Sequence, residues 1–178
     1  MKQIILDLSQ PEQTVEITEN SELIGLFVGR DSEKLSSLLK VVHKKPELQS
    51  LTSIKAVVYD DAYFDMEGML VIETGARNTD AYLRIDVLLM SEQAGARAVP
   101  SLEITEDNVK GGHGATVGQI DREQLFYLTS RGLPRSQAET LLVEGFVQEL
   151  LDRIEDETVR EQFAQVVGAT ASRTSTED

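Results

Sequence analysis

The chain has 178 residues, 31 acidic against 17 basic side chains, a formal net charge of −14 at pH 7, and no cysteine. That charge excludes a surface built to bind a phosphate backbone, and the missing cysteine excludes a disulfide scaffold. No apolar run is long enough for a membrane-spanning helix. The opening MKQIILDLSQ holds one lysine, an apolar stretch broken by Asp7 and no small-residue cleavage site, so it does not read as a signal peptide. A cytoplasmic protein of one core with a short helical appendage is the expectation.

Residues 3–28 alternate loosely, with Ile4, Leu6, Val15, Ile17, Leu23, Leu26 and Val28 as inward candidates at a period near two, interrupted by Pro11 and Asn20. From Ile54 to Ile104 short apolar pieces follow one another: Ala56–Val58, Met69–Ile72, Val87–Met90 and Leu102–Ile104. Asp60-Asp61, Gly75, Asn78, Ser91 and Gly95 separate them as turn residues. The spacing is uneven, so no repeat length can be assigned. Ala94, Ala96 and Ala98 alternate, as small residues do where layers crowd. These signs give an all-β architecture, either sandwich or solenoid.

Helical grammar starts at Asp121, whose carboxylate can cap free backbone N–H groups, with Glu123 at the positive end of the dipole. Leu125, Phe126, Leu128 and Thr129 form the expected inward stripe, and Gly132 the C′ glycine. A second helix is expected from Pro134. Its predicted buried face is Ala138, Leu141, Leu142, Gly145, Phe146, Glu149, Leu150 and Ile154, and Gly145 suggests close packing. A third helix over 157–168 carries Val159, Phe163, Val166 and Val167, and the polar stretch 169–178 reads as a disordered tail.

The junction between the two grammars is VKGGHGATVGQIDREQLFYLTSRGL, residues 109–133. One of only two histidines, His113, sits there between glycines, a residue type used where a positive φ or a close approach is needed. Val109, Lys110, His113–Gly118, Phe126–Leu128 and Ser130–Gly132 closely resemble the C-terminal signature of the SufB/SufD family of iron–sulfur cluster assembly scaffolds, and of its SufD branch in particular. His43 and Pro46, Gly68 and Ile72, Thr79–Ala81 with Leu88, Leu89 and Ser91, and Pro100 with Leu102–Ile104 extend the likeness over about residues 23–155. The resemblance implies a right-handed parallel β-helix over 1–118, followed by a small helical subdomain over 119–168. It departs from the branch pattern at Gly111-Gly112, where Cys-Ser is usual, and the family's N-terminal region has no counterpart here.

What the resemblance implies for function is a non-catalytic scaffold. Its C-terminal helices would dock an ABC-type ATPase subunit, with Arg131, Arg135, Glu139, Glu144 and Gln148 as exposed contacts. A homodimer, or a pairing with a SufB-like subunit, would form through the exposed strand edge of the β-helix. His113 is the one candidate metal ligand, placed near that seam, with iron or a cluster held there transiently and no intrinsic cofactor. Thiolate is the usual cluster ligand, and this chain has none. An alternative reading is a homodimeric metal-binding protein in which paired His113 residues, with Glu103 or Asp107, hold Zn²⁺ or Fe²⁺. Another is a structural or regulatory module without assembly function. His43 reads as a solvated loop residue, and Asp60-Asp61 and Asp65/Glu67 read as turn carboxylates lacking calcium-loop spacing. Phosphate-loop, dinucleotide, nucleophile-elbow and zinc-hydrolase signatures are absent from the sequence.

Overall fold

The structure is a computed structural model that describes the backbone of residues 1–171 and the side chains of residues 1–168. Nine strands come first: β1 (Lys2–Ile5), β2 (Glu12–Ile17), β3 (Ser21–Gly29), β4 (Lys34–His43), β5 (Gln49–Val58), β6 (Tyr63–Ile72), β7 (Asp80–Leu89), β8 (Gly95–Ile104) and β9 (Lys110–Gln119). Three helices follow: α1 (Arg122–Ser130), α2 (Arg135–Arg153) and α3 (Glu157–Ala171). The tail expected at 169–178 falls outside the described residues, except that its first three continue α3.

Successive strands alternate between two sheets. One sheet runs β1-β3-β5-β7-β9 and the other β2-β4-β6-β8, and each strand lies parallel to the one two places later. This is a parallel β-helix of about four turns, as the family likeness implies. Coil length varies: Glu12 aligns with Leu38, 26 residues on, whereas Tyr63 aligns with Gly95, 32 residues on. That variation hides the repeat from the sequence. The corners absorb it, with Asp31, Glu47, Asp60, Asn78 and Gly75 all at positive φ. Corner side chains stack from coil to coil, as where Asn108 donates to Asn78 Oδ1 (2.6 Å) and the Asp31 N–H donates to Asp60 Oδ2 (3.0 Å).

The space between the sheets is filled by Leu23, Phe27, Leu39, Val41, Ile54, Phe64, Met66, Leu70, Ile72, Leu83 and Ile85, with the Phe27 and Phe64 rings stacked at 5.4 Å. The expected small residues Ala94, Ala96 and Ala98 do line this interior. Leu26 and Val28 do not. They lie on the other face of β3, with Ile24, Val57, Leu88 and Met90, and pack under α2 and α3. The first sheet is therefore buried on both faces at its centre, and β5 shows the run of buried residues that double coverage requires. The second sheet faces solvent on one side, and β6 keeps strict alternation.

Asp121 caps α1 by accepting from the N–H groups of Glu123 (2.8 Å) and Gln124 (3.2 Å), and Gly132 turns the chain at φ +95°. Pro134 takes the N-cap position of α2 and the helix begins one residue later. The buried face of α2 is Ala138, Val143, Val147, Leu150 and Leu151, while Leu141 is exposed. Gly145 is open, with nothing near the position of a Cβ, so close packing does not explain it. On α1 Leu125 is buried and Phe126 points out; on α3 Val167 is buried and Val166 is exposed.

Phe64 fills the interior with no exposure, whereas Val99 lies on the solvent face of β8. Phe64→Ala should cost about 3–5 kcal/mol, and Val99→Ala under about 1 kcal/mol, read by denaturant unfolding.

Candidate functional site

β8 and β9 each have one neighbouring strand and form the last edge of the coil. Register shows which side chains face inward. His113, Ala115 and Val117 align with the interior residues Leu83, Ile85 and Val87, while Leu102 and Ile104 align with Leu70 and Ile72. Residues that would be core in any earlier coil are here open to solvent: Leu102 (37% exposed), Ile104 (39%) and Val117 (46%). His113 belongs to this row, an exposed imidazole on an apolar, unpaired strand edge.

The glycines around His113 serve close approach rather than positive φ. A Cβ at Gly112 would sit 2.7 Å from the Tyr82 ring, and one at Gly114 would sit 3.0 Å from the Tyr82 hydroxyl. Tyr82 lies across the outer face of β9 in the room those glycines leave. Gly111 faces inward, where a Cβ would meet Ile104 Cδ1 at 2.6 Å. Glu103 aligns with Val71, on the opposite face of β8 from Ile104, so within one copy it does not converge on His113. Among the described residues no three His, Asp or Glu side chains group as a metal site.

His43 is not a solvated loop residue. It ends β4, points inward between Ile17 and Ile72, and is fully buried. Neither ring nitrogen makes a well-formed hydrogen bond. Desolvation pushes its pKa below the usual value, opposed by the backbone at Val71. The reading as a loop residue failed because Lys44, Lys45 and Pro46 are the loop, and the strand stops one residue before them. Asp65 and Glu67 both hold Arg97, at 2.8 and 2.6 Å, in a surface ladder. Their role is structural.

The five expected contacts on the helices form an elongated surface rather than a cluster. Arg131 follows α1 with its guanidinium 5.2 Å from the Tyr127 ring centroid. Arg135 opens α2 and pairs with Glu139 at 2.8 Å. Glu144 is exposed, and Gln148 donates to Asp152 Oδ1 (2.6 Å). Arg135 and Gln148 stand thirteen residues apart on α2, about 20 Å at 1.5 Å per residue. Between them the structure adds two aromatic residues that amphipathic reading placed inside or passed over: Phe126 (73% exposed) and Tyr127 (57%). Phe126 and Arg135 line a cleft of about 770 Å³ beside the β7–β8 corner. Tyr127 lines a groove of about 530 Å³ with Leu128, Leu141 and Leu142.

Residues 13–146 match the SufBD core domain of the SUF system for iron–sulfur cluster assembly, about three quarters of the chain. The chain belongs to the SufBD family. An iron–sulfur cluster assembly SufBD family protein of Mycobacterium tuberculosis is 35% identical over 156 residues, covering 83% of this chain and 39% of the relative. The cluster assembly protein SufD of Bacillus subtilis is 34% identical over 142 residues (80% and 32%), and SufD of Escherichia coli 36% over 126 residues (71% and 30%). The chain thus spans between about a third and two fifths of the length of these relatives. No helix among the described residues is long and apolar enough to cross a membrane.

His43 yields a stability prediction with a definite sign. Its folded pKa lies below the unfolded value of 6.5, so below pH 6.5 the unfolded chain binds a proton the folded chain refuses. Its neutral-state contribution is complete above pH 6.5 and is lost as pH falls below it. Wild type should therefore lose more stability than His43→Leu between pH 7 and 5 in parallel urea titrations. Equal slopes would contradict a buried neutral imidazole.

Proposed function

We propose that this SufBD-family chain is a non-catalytic scaffold subunit of iron–sulfur assembly, pairing through its last coil with a second SufBD-type subunit and docking an ATPase through its helices. One observation carries the pairing: the two ends of the β-helix are finished differently. At the first coil Leu6 and Leu8 fold under the sheets and are buried, Leu8 lying against Gly25. At the last coil the corresponding interior row of Leu102, Ile104, His113 and Val117 stays exposed on two edge strands, each paired on one side only. Such an edge is a template for another chain, and a second copy offers a matching row under two-fold symmetry.

The pairing would bring His113 of one subunit to the seam, facing its neighbour. This chain contributes no thiolate, and one imidazole does not make a cluster site. The residues present therefore do not hold a cluster by themselves. Iron or a cluster is cargo here, with remaining ligands from the partner subunit. On the helices, Phe126 and Tyr127 provide apolar contact, while Arg131, Arg135, Glu139, Glu144 and Gln148 supply a charged rim. That composition suits a stable protein interface, and the acid-rich chain favours a partner with a basic surface.

Size-exclusion chromatography with light scattering should give a species of twice the chain mass for the protein alone, or a one-to-one complex with a co-expressed SufB-like subunit. Ile104→Glu or Val117→Lys should convert it to monomer without loss of helical signal. A wild-type monomer that also fails to bind a SufB-like subunit would contradict the pairing.

Pull-down from the native host should recover an ABC-type ATPase. Phe126→Asp, or Arg131 and Glu144 charge reversals, should cut recovery at least tenfold while leaving the dimer intact. Undiminished recovery would move the docking surface elsewhere.

A further inference from the structure

A second cleft, of about 500 Å³, opens where the outer face of β5, β7 and β9 meets α2, away from both the open edge row and the exposed aromatic residues. In a chain of net charge −14 its lining is locally cationic, with Lys55, Arg84 and Arg153 against Asp86 and Glu149. Arg153 is committed to the fold: its Nε lies 2.7 Å from Glu22 and its Nη2 donates to Ser53 Oγ at 2.8 Å. Asp86 is likewise fixed, accepting from Thr116 Oγ1 (2.6 Å) and from Arg84 Nε (2.7 Å). The other two cations keep capacity in reserve.

Lys55 is 91% buried at residue level, yet its ammonium has one close acceptor, the Phe146 carbonyl at 2.6 Å. An ammonium has three donors. The second partner is the Glu149 carboxylate at 3.6 Å, on a side chain 75% exposed and thus free to swing away. Arg84 spends Nε on Asp86 and has a contact with Tyr82, while half its side chain stays in solvent, so its terminal amino groups can engage another acceptor. The Phe146 ring, with its centroid 4.8 Å from Lys55 Nζ, gives the cleft an apolar wall. The Lys55 ammonium thus has one carbonyl, one distant carboxylate and one ring face as partners, and it lines the cleft together with Arg84.

We propose that this cleft binds a small organic oxyanion, a carboxylate or phosphate head on a short apolar body. The head lies between Lys55 and Arg84, the body rests on the Phe146 ring, and Glu149 is displaced outward. Glu149 in the empty cleft occupies the place that the ligand's oxygen takes. The cleft shares α2 with the docking surface and Thr116 with β9, but none of the residues assigned to docking or to the open edge row lines it, so its anion binding is tested separately from the scaffold reading.

The test is an amide-resolved NMR titration of the full chain at low salt, with benzoate, phenyl phosphate and inorganic phosphate as separate probes. The expected result is saturable shifts confined to residues 53–55, 84–86, 116 and 146–150 with at least one organic probe. Inorganic phosphate should bind at least fivefold more weakly. Arg84→Gln, at a half-exposed position that should fold normally, should weaken binding about tenfold, and Lys55→Met should abolish it. Glu149→Gln discriminates best. Removing a competing carboxylate should tighten binding several-fold, whereas a purely structural Lys55–Glu149 pair gives unchanged or weaker binding. The absence of saturation by either organic anion, equal binding of inorganic phosphate, or an unchanged or weakened Glu149→Gln affinity would overturn the proposal.

Discussion

The rest of the molecule depends on one constraint: the sheet β1-β3-β5-β7-β9 must be covered on both faces. Its inner face meets the second sheet across the Phe27–Phe64 core, and its outer face at Ile24, Val57 and Leu88 needs the helices. At about 25 cal/mol per Å² of apolar surface, leaving that outer face wet would remove a large part of a domain's net stability, which is only about 5–15 kcal/mol. The helical segment is therefore a wall of the core rather than an appendage. A polar clasp reinforces the union: Gln3 on β1 donates to the Arg153 carbonyl and accepts from the Glu155 N–H, while Arg153 pairs with Glu22 on β3. The first strand and the end of α2 are thus tied across some 150 residues.

The same constraint explains where function is placed. A surface used to close the core is unavailable for partners, so the free surfaces are those the wall leaves over: the last coil, the far faces of α1 and α2, the outer face of the second sheet, and the cleft where wall and sheet meet unevenly. The last coil is distinctive because its residues are core residues by type and by register. Val117 aligns with Val87 and Ile104 with Ile72, yet the stack stops there. A solenoid whose terminal coil keeps its interior chemistry leaves apolar surface that a stacked neighbour would cover. At the opposite end Leu6 and Leu8 meet that need from within the chain.

The legible part of this architecture was local. Asp121 as a cap, Gly132 and Asn78 as turn residues and the alternating alanines all read directly, because cap and turn chemistry is a property of a few adjacent residues. The β-helix itself was legible through family likeness and not through periodicity. Coils of 19 to 32 residues mask a repeat, and double coverage of β5 erases its alternation. The parity of Leu26 and Val28 was misread for the same reason, since both faces of β3 are apolar. Phe126 and Leu141 lie outside because α1 and α2 carry apolar residues on two faces, and amphipathicity alone cannot say which face is internal. His113 stands out in the sequence by the glycines around it. His43 was misjudged because its strand ends directly against a charged loop. The cleft of Lys55 and Arg84 was invisible, for its members come from strands and a helix up to about a hundred positions apart and share no motif.

In this SufBD-family chain one end of the β-helix buries Leu6 and Leu8, the other leaves its interior row exposed, and Phe126 and Tyr127 stand exposed on the helical wall. Hydrogen exchange at β9 tests the open end most directly. The account predicts that amides of residues 110–119 pointing away from β7 are protected at high protein concentration, or with a SufB-like subunit bound, and lose that protection on dilution. Core amides of β5 should stay protected throughout. Outward β9 amides that exchange freely in the assembled species would contradict the central claim that the last coil is the joining surface.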